Sequence, residues 1–259
     1  SVLALYVYRK QKDLFQLVNP ARPYEAYSVP IQARDPGPDG RLGTGDDAGV
    51  FTLFDYSPQF AGVAFTRSQY ASTPASNMSD FHTLEVTFNK RMGARWGMLA
   101  SLGALKNHRW LIGPNDAAVV QSPNDLINAI DNTWERNGKL QLTYRFPYDI
   151  TFAAVDQIQE GLGRQRTYLF PGLPQSRSLT VGVEPFGQRR LPTQHLLNMS
   201  VSKGLNLGQQ RRVRLKLDVY NVLNANTPTS VSDVSGASYD KVTGYLPGMV
   251  SRVAAEFTF

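Results

Sequence analysis

The chain has 259 residues and a formal net charge of +6, and its 42% hydrophobic and 11% aromatic content excludes a disordered or collagen-like chain. It contains no cysteine, which excludes disulfide scaffolds, Cys-ligated metal sites and cysteine catalysis. The basic residues do not gather into a run, so no nucleic-acid partner is expected, and no apolar stretch reaches the roughly 18 residues that a membrane-spanning helix needs.

Eight segments carry the two-residue alternation of apolar and polar side chains that is typical of β-strands. The first opens the chain without an initiator Met or a cleavage site, so we expect the chain to be a piece of a longer polypeptide. Each segment has about the 9–11 residues that a tilted strand needs to cross an outer-membrane bilayer. In chain order we predict strands over 1–9, 80–91, 95–106, 134–146, 148–156, 194–204, 211–220 and 249–259.

The alternation is clearest in residues 212–219, where every even position is charged and every odd position is aliphatic. This pattern predicts one ionic face and one apolar face on the same strand. The ionic face is predicted to line a polar lumen, through Arg212, Arg214, Lys216 and Asp218. The apolar face is predicted to contact lipid, and it continues in the last strand to give the set Leu215, Leu217, Val219, Phe257 and Phe259.

The links between these segments alternate in length, which is the pattern of outer-membrane barrels with short periplasmic turns and long extracellular loops. Short links are predicted at 89–94, 146–149 and 204–209, and long loops at 10–79, 107–133, 157–193 and 221–248. The loops 107–133 and 221–248, rich in Asn, Ser and Asp, are the predicted ligand-selecting segments. Interfacial aromatic girdles are predicted from Tyr6, Tyr8, Trp96, Trp110, Trp134, Tyr144, Tyr148, Tyr220 and Phe259.

The predicted fold class is therefore all-β, an antiparallel transmembrane β-barrel segment with about eight spanning strands. A large soluble β-sandwich or jelly roll would show a similar alternation. Loops as long as 10–79 are rare in compact soluble domains, which favours the barrel.

Five short motifs stand out along the chain, namely Asn89-Lys90-Arg91-Met92 with Arg95-Trp96, 134–138, Arg190-Leu191-Pro192, the run 217–224 and 252–259. Together they resemble the C-terminal part of TonB-dependent outer-membrane receptors, of the type with an N-terminal carboxypeptidase-regulatory-like domain. The resemblance covers almost the whole chain, so 1–259 is interpreted as the C-terminal portion of the receptor barrel.

The resemblance implies a 22-stranded barrel, plugged by an N-terminal domain, in the cell outer membrane of a Gram-negative-type bacterium. The parent protein would import a bulky ligand, whose identity stays open, with energy from the TonB complex. The plug is absent from this chain, so import is assigned to the parent protein, and the TonB complex is reached through the missing N-terminal part. The other implied partners are outer-membrane lipid and the barrel-assembly machinery, which would read the terminal aromatics Phe257 and Phe259.

Residues 35–47 are the candidate metal site, because they fit a twelve-residue calcium loop. Asp35 takes position 1, Asp39 position 5, Arg41 the carbonyl position 7 and Asp46 position 12. Turn chemistry alone also requires Asp, Gly and Pro in such a segment. Apart from this possible Ca²⁺, no cofactor is expected.

No enzyme activity is expected, because His82, His108 and His195 lie in separate segments and no nucleophile elbow is present. Two alternatives to the receptor interpretation stay open. One is a non-transport surface β-protein, either adhesin-like or a calcium-stabilised binding domain. The other is an intramembrane esterase that uses His195 and a nearby serine.

Overall fold

The computed structural model describes residues 1–11, 15–63, 68–71, 79–110, 122–208 and 211–259. The prediction of an all-β, antiparallel fold is confirmed, since these residues form strands, loops and three short 3-10 segments, at Tyr24–Ala26, Pro58–Phe60 and Pro123–Leu126. In chain order the strands are β1 (Val2–Gln11), β2 (Phe15–Val18), β3 (Val29–Arg34), β4 (Val50–Asp55), β5 (Ser68–Ala71), β6 (Ser79–Gly93), β7 (Trp96–Trp110), β8 (Ile130–Asp131), β9 (Trp134–Phe146), β10 (Ile150–Gln159), β11 (Gly163–Arg164), β12 (Thr167–Leu173), β13 (Arg177–Gly182), β14 (Arg189–Arg190), β15 (Gln194–Gly208), β16 (Arg211–Tyr220), β17 (Pro228–Val231), β18 (Val242–Tyr245) and β19 (Val250–Thr258).

Eight long strands form one antiparallel sheet, the main sheet, in the order β1-β6-β7-β9-β10-β15-β16-β19. Each of the eight segments predicted from alternation corresponds to one of these strands, although Tyr148 and Asp149 of the predicted segment 148–156 form the turn before β10. The short strand β8 pairs with the end of β7, and within the described ranges no pairing joins β1 to β19. The described sheet is therefore open at both edges.

Several strands are longer than the alternation predicted. The strand β6 continues to Gly93 through a register shift after Lys90, and β15 continues to Gly208. The predicted link 204–209 is therefore mostly strand, because Leu205 and Leu207 extend the alternation of β15 beyond Gly204. Likewise β1 ends at Gln11, two residues beyond the predicted end.

The register of the main sheet sorts its side chains onto two faces, since successive residues of a strand point to opposite sides. One row of cross-strand partners runs Phe88, Ala100, Leu140, and a second runs Phe152, Val201, Leu217, Val253. These rows lie on the apolar face. The opposite, polar face carries rows such as Arg145, Thr151, Ser202, Lys216.

The long loops contain further hairpins and together form what we call the loop layer, residues 19–63, 122–133, 160–193 and 221–249. Hairpins β3–β4, β12–β13 and β17–β18 belong to it. Its core is built from two of these hairpins, because Leu53 of β4 is buried with Phe170, Leu173 and Val181. Partly buried residues packed around them are Ile31, Ala33, Phe51, Ile127, Tyr168, Leu179 and Val183. The largest apolar core among the described residues thus lies in segments that the sequence indicated only as loops.

We expect Phe170→Ala to destabilise the loop layer by about 3–5 kcal/mol, because it opens a cavity where the ring packs edge-on against Phe51 and Tyr168. Hydrogen exchange of the amides of β3, β4, β12 and β13 measures the change. The control Leu42→Ala removes a side chain that is 64% exposed and should leave the same amides protected. Equal effects of the two substitutions would contradict a cooperative core in the loops.

Candidate functional site

The apolar face of the main sheet is exposed, which is unusual for a set of large aliphatic and aromatic side chains. Leu102, near the middle of β7, is 68% exposed, and Val253 of the last strand is 79% exposed. Other members more than one third exposed are Leu84, Val86, Phe88, Leu140, Val201, Leu215, Leu217 and Phe257. Since these residues lie on neighbouring strands of one register, they form a continuous apolar surface across the main sheet.

Aromatic and cationic side chains mark the end of the apolar face near the short turns. The Nζ atom of Lys90 lies 3.7 Å from the centroid of the Trp96 ring, within range for a cation–π interaction. On the neighbouring strand β9 the ring centroids of Tyr144 and Phe146 lie 4.6 Å apart. Tyr148, another residue of the predicted aromatic girdles, is exposed in the turn between β9 and β10.

A second aromatic and cationic row lies at the loop end of this face. The Lys106 Nζ atom lies 5.9 Å from the Trp134 ring, and the Tyr6 hydroxyl hydrogen-bonds His82 Nδ1 at 2.9 Å. The Tyr8 ring packs on His82, with 4.9 Å between centroids. Tyr220 differs from the prediction, because its pairing with Val250 places it on the polar face. The side chain of Trp110 lies outside the described residues.

The polar face holds the four predicted lumen residues, each in an ion pair. The Arg212 guanidinium pairs with Asp149, and Arg214 Nη1 lies 3.8 Å from Glu256 Oε2. Asp218 is buried between Lys216 Nζ at 2.9 Å and Arg252 Nη2 at 2.7 Å. The register therefore places Arg212, Arg214, Lys216 and Asp218 on one side of the sheet, and that this side lines a lumen stays a prediction.

All three histidines lie on the apolar side near the loop end of their strands. His195 Nε2 is 2.7 Å from Asp156 Oδ1, and His108 Nδ1 is 4.0 Å from Asp80 Oδ2. The hydrogen bonds of His195 and His82 run to Asp156 and Tyr6, and the esterase stays an open alternative.

The Asp-rich segment 35–47 is held by hydrogen bonds within the protein. Asp46 Oδ1 accepts a bond from the Thr44 hydroxyl at 2.6 Å, and Asp39 Oδ1 accepts one from the Arg41 amide at 2.7 Å. Asp35 Oδ1 accepts a hydrogen bond from the Gly37 amide at 3.0 Å, and the Asp35 carboxylate is also bound by Arg166. Among the described residues no three His, Asp or Glu side chains are grouped to hold a metal ion. Calcium binding by this segment stays a prediction, and it would require Asp35 to leave Arg166.

Arg166 connects three segments of the loop layer from a buried position that sequence reasoning missed. Its guanidinium binds Asp35 with two nitrogen atoms, of which Nη1 is 2.8 Å from Oδ1, and it also donates to the Ser235 hydroxyl at 2.9 Å. Asp35 is 2% exposed. The hydrogen bonds to Asp35 raise the pKa of Arg166 above its ordinary value, although burial acts in the opposite direction.

Asp55 and Arg164 make two further polar links between loops. The Asp55 carboxylate accepts hydrogen bonds from the amides of Gln175 and Ser176, at 2.7 and 3.1 Å. Arg164 Nε donates to Asp233 Oδ1 at 2.8 Å, and its Nη1 donates to Asp240. Since all four long loops contribute to these links or to the apolar core, they form one connected layer at a single end of the main sheet.

Phe257 pairs with Val213 and lies on the apolar face, as the alternation predicts. Phe259 follows the end of β19 and is fully exposed. Within the described ranges, no helix is long and apolar enough to cross a membrane.

We expect Arg166→Met to destabilise the loop layer by about 3–5 kcal/mol, because the Asp35 carboxylate would stay buried without its partner. The control Arg41→Met changes an exposed arginine of the same Asp-rich segment, and it should cost less than about 1 kcal/mol. Hydrogen exchange of the β3–β4 amides measures both. If the double variant Arg166→Met/Asp35→Leu is as unstable as Arg166→Met alone, the buried charge is not the cause.

No protein-family model and no curated protein matches this sequence. A comparison with solved structures finds similarity to the outer membrane transporter YddB from Escherichia coli, with a TM-score of 0.47 and 12% sequence identity. The match covers 99% of this chain and 30% of that chain, so the chain spans less than a third of the length of that transporter.

Proposed function

We propose that this chain forms part of the wall of an outer-membrane transport barrel, with its apolar face against lipid and its polar face toward water. The observation that carries the proposal is the continuous, exposed apolar face of the main sheet. In water such a face is an aggregation liability, whereas in a bilayer it is the surface that a spanning strand needs.

The spacing of the two aromatic rows supports this placement. Along β7, ten residues separate Trp96 in the turn-end row from Lys106 in the loop-end row. Ten residues of strand rise about 33 Å, which corresponds to about 25 Å of membrane thickness at a tilt of about 40°. That thickness equals the apolar band of outer-membrane barrels.

The placement of the connections supports the proposed orientation. The short links after β6, β9 and β15 lie at one end of the main sheet, and the loop layer lies at the other. In the proposed orientation the short links are periplasmic and the loop layer is extracellular.

We further propose, from the resemblance to TonB-dependent receptors, that the parent protein imports a bulky ligand with energy from the TonB complex. Further strands would then pair with the open edges of β1 and β19, because unpaired backbone groups are costly in lipid. The terminal residues Phe257 and Phe259 would engage the barrel-assembly machinery during insertion. The extracellular loop layer would make the first contact with the ligand.

A matched pair of arginine substitutions on β7 tests the lipid contact. Leu102→Arg places a charge near the midpoint between the two aromatic rows and should cost about 2–4 kcal/mol of folding stability in a bilayer. Ser101→Arg, one residue earlier on the polar face, should be mild. Folding into vesicles across a urea series measures both variants. If Leu102→Arg is harmless, the apolar face does not contact lipid, since a 68% exposed leucine tolerates arginine in water.

Membrane retention tests the location directly. The chain, expressed with any native sequence that precedes it, should stay in the outer-membrane fraction through high salt and alkaline carbonate washing. Release into the wash would favour the alternative of a non-transport surface β-protein, in which the loop layer is a rigid binding surface.

A further inference from the structure

We propose that the polar face holds a binding groove for a small ligand with two or more carboxylate or phosphate groups, bound between Arg145 and Lys216. The proposal rests on the proposed function in one respect, because it takes this face to be in contact with water. It goes further by naming the charge class of the ligand and the residues that hold it.

The floor of the groove consists of small side chains on two central strands. Thr151 and Ser202 are cross-strand partners on β10 and β15, and Ala153 and Ser200 form the next row. All four are partly exposed. Small residues lower the floor relative to the longer side chains on both sides, and the hydroxyls of Thr151 and Ser202 can donate hydrogen bonds to an anion.

The walls of the groove are cationic. In the row that contains Thr151 and Ser202, Arg145 of β9 stands on one side and Lys216 of β16 on the other. These two residues are three strand spacings apart, about 14 Å at about 4.8 Å per spacing. A ligand with anionic groups at both ends can bridge that separation.

Arg145 is the groove cation that the described residues leave without an ion pair, and Lys139, farther along the same strand, is another unpaired cation of this face. The Arg145 side chain is exposed and makes no ion pair or hydrogen bond with any described side chain, in contrast to Arg212, Arg214 and Arg252 on the same face. Arginine matches carboxylate and phosphate groups with two parallel hydrogen bonds, which gives an anion a defined orientation.

The charges around the groove leave a positive surplus. Five cations face three carboxylates, and Lys216 and Arg252 share the single carboxylate of Asp218. The cations are Arg145, Arg212, Arg214, Lys216 and Arg252, and the carboxylates are Asp149, Asp218 and Glu256. The remaining positive potential favours anions over neutral solutes.

Gly204 lets one of these ion pairs lie close to the sheet at the turn end of the groove. A side chain at position 204 would collide with the Asp149 carboxylate and the Arg212 guanidinium, so this pair covers the glycine. Because Asp149 is neutralised by Arg212, the groove is closed at this end without a free negative charge.

Calorimetric titration of the purified full-length protein in detergent tests the groove, with tricarballylate and pyrophosphate as probes. We expect at least one of the two anions to bind, and Arg145→Gln and Lys216→Gln each to weaken that binding about tenfold, since each removes a charge-assisted contact. The control Lys241→Gln makes the same charge change in the loop layer at the opposite end and should leave the affinity unchanged. The neutral trimethyl ester of tricarballylate should not bind.

Two results would overturn the groove. One is that neither anion binds, and the other is that Lys241→Gln weakens binding as much as Arg145→Gln, which would indicate a nonspecific effect of net charge. Arg145→Gln changes an exposed side chain that makes no ion pair among the described residues, so we expect the variant protein to fold normally. Carbonate extraction of the membranes from which the protein is purified separates the two proposals, because release from the membrane contradicts the barrel wall while the titration still reports on the groove.

Discussion

Continuous antiparallel register is the constraint on which the structure depends. Because side chains alternate along every strand, one register across the main sheet places most of the large apolar side chains on one side and most of the ion pairs of β16 and β19 on the other. A shift of one residue at a single pairing, for example between Val201 and Leu217, would bring charged residues of β16 onto the apolar face. The ionic rows, the proposed lipid contact and the proposed anion groove all follow from this register.

The loop layer is stabilised by a buried apolar core and a buried ion pair, in contrast to the strand pairing of the main sheet. Its hairpins bury Leu53, Phe170, Leu173 and Val181 as a soluble domain would, and they enclose an arginine–aspartate pair away from solvent. A buried pair of this kind adds little net stability compared with apolar residues, but it penalises arrangements in which either charge loses its partner. The pair of Arg166 and Asp35 therefore specifies how two loops dock, while the apolar core supplies the free energy of docking.

The two faces of the sheet also differ in how their charges are used. On the apolar face Lys90 and Lys106 lie against tryptophan rings in the two end rows, and Asp156 is paired with His195. On the polar face Arg212, Arg214, Lys216 and Arg252 pair with carboxylates, whereas Arg145 and Lys139 make no ion pair among the described residues. Since Arg145 shares a row with Thr151, Ser202 and Lys216, it is a better candidate for ligand contact than Arg212 or Arg214, whose charges are already paired.

The sequence by itself determined the strand positions, the two faces and the alternation of short and long connections. These features are local, because a period of two residues and a turn rich in Gly, Pro and Asp can be recognised within ten residues. The tertiary structure decided the pairing of Asp35 with Arg166, 131 residues apart, which gives the predicted calcium ligand a different partner. It also decided the loop core, the placement of Tyr220 on the polar face and the juxtaposition of Arg145 with Lys216 across three strand spacings. Such contacts depend on register and docking between distant segments, for which neither residue carries a local signal.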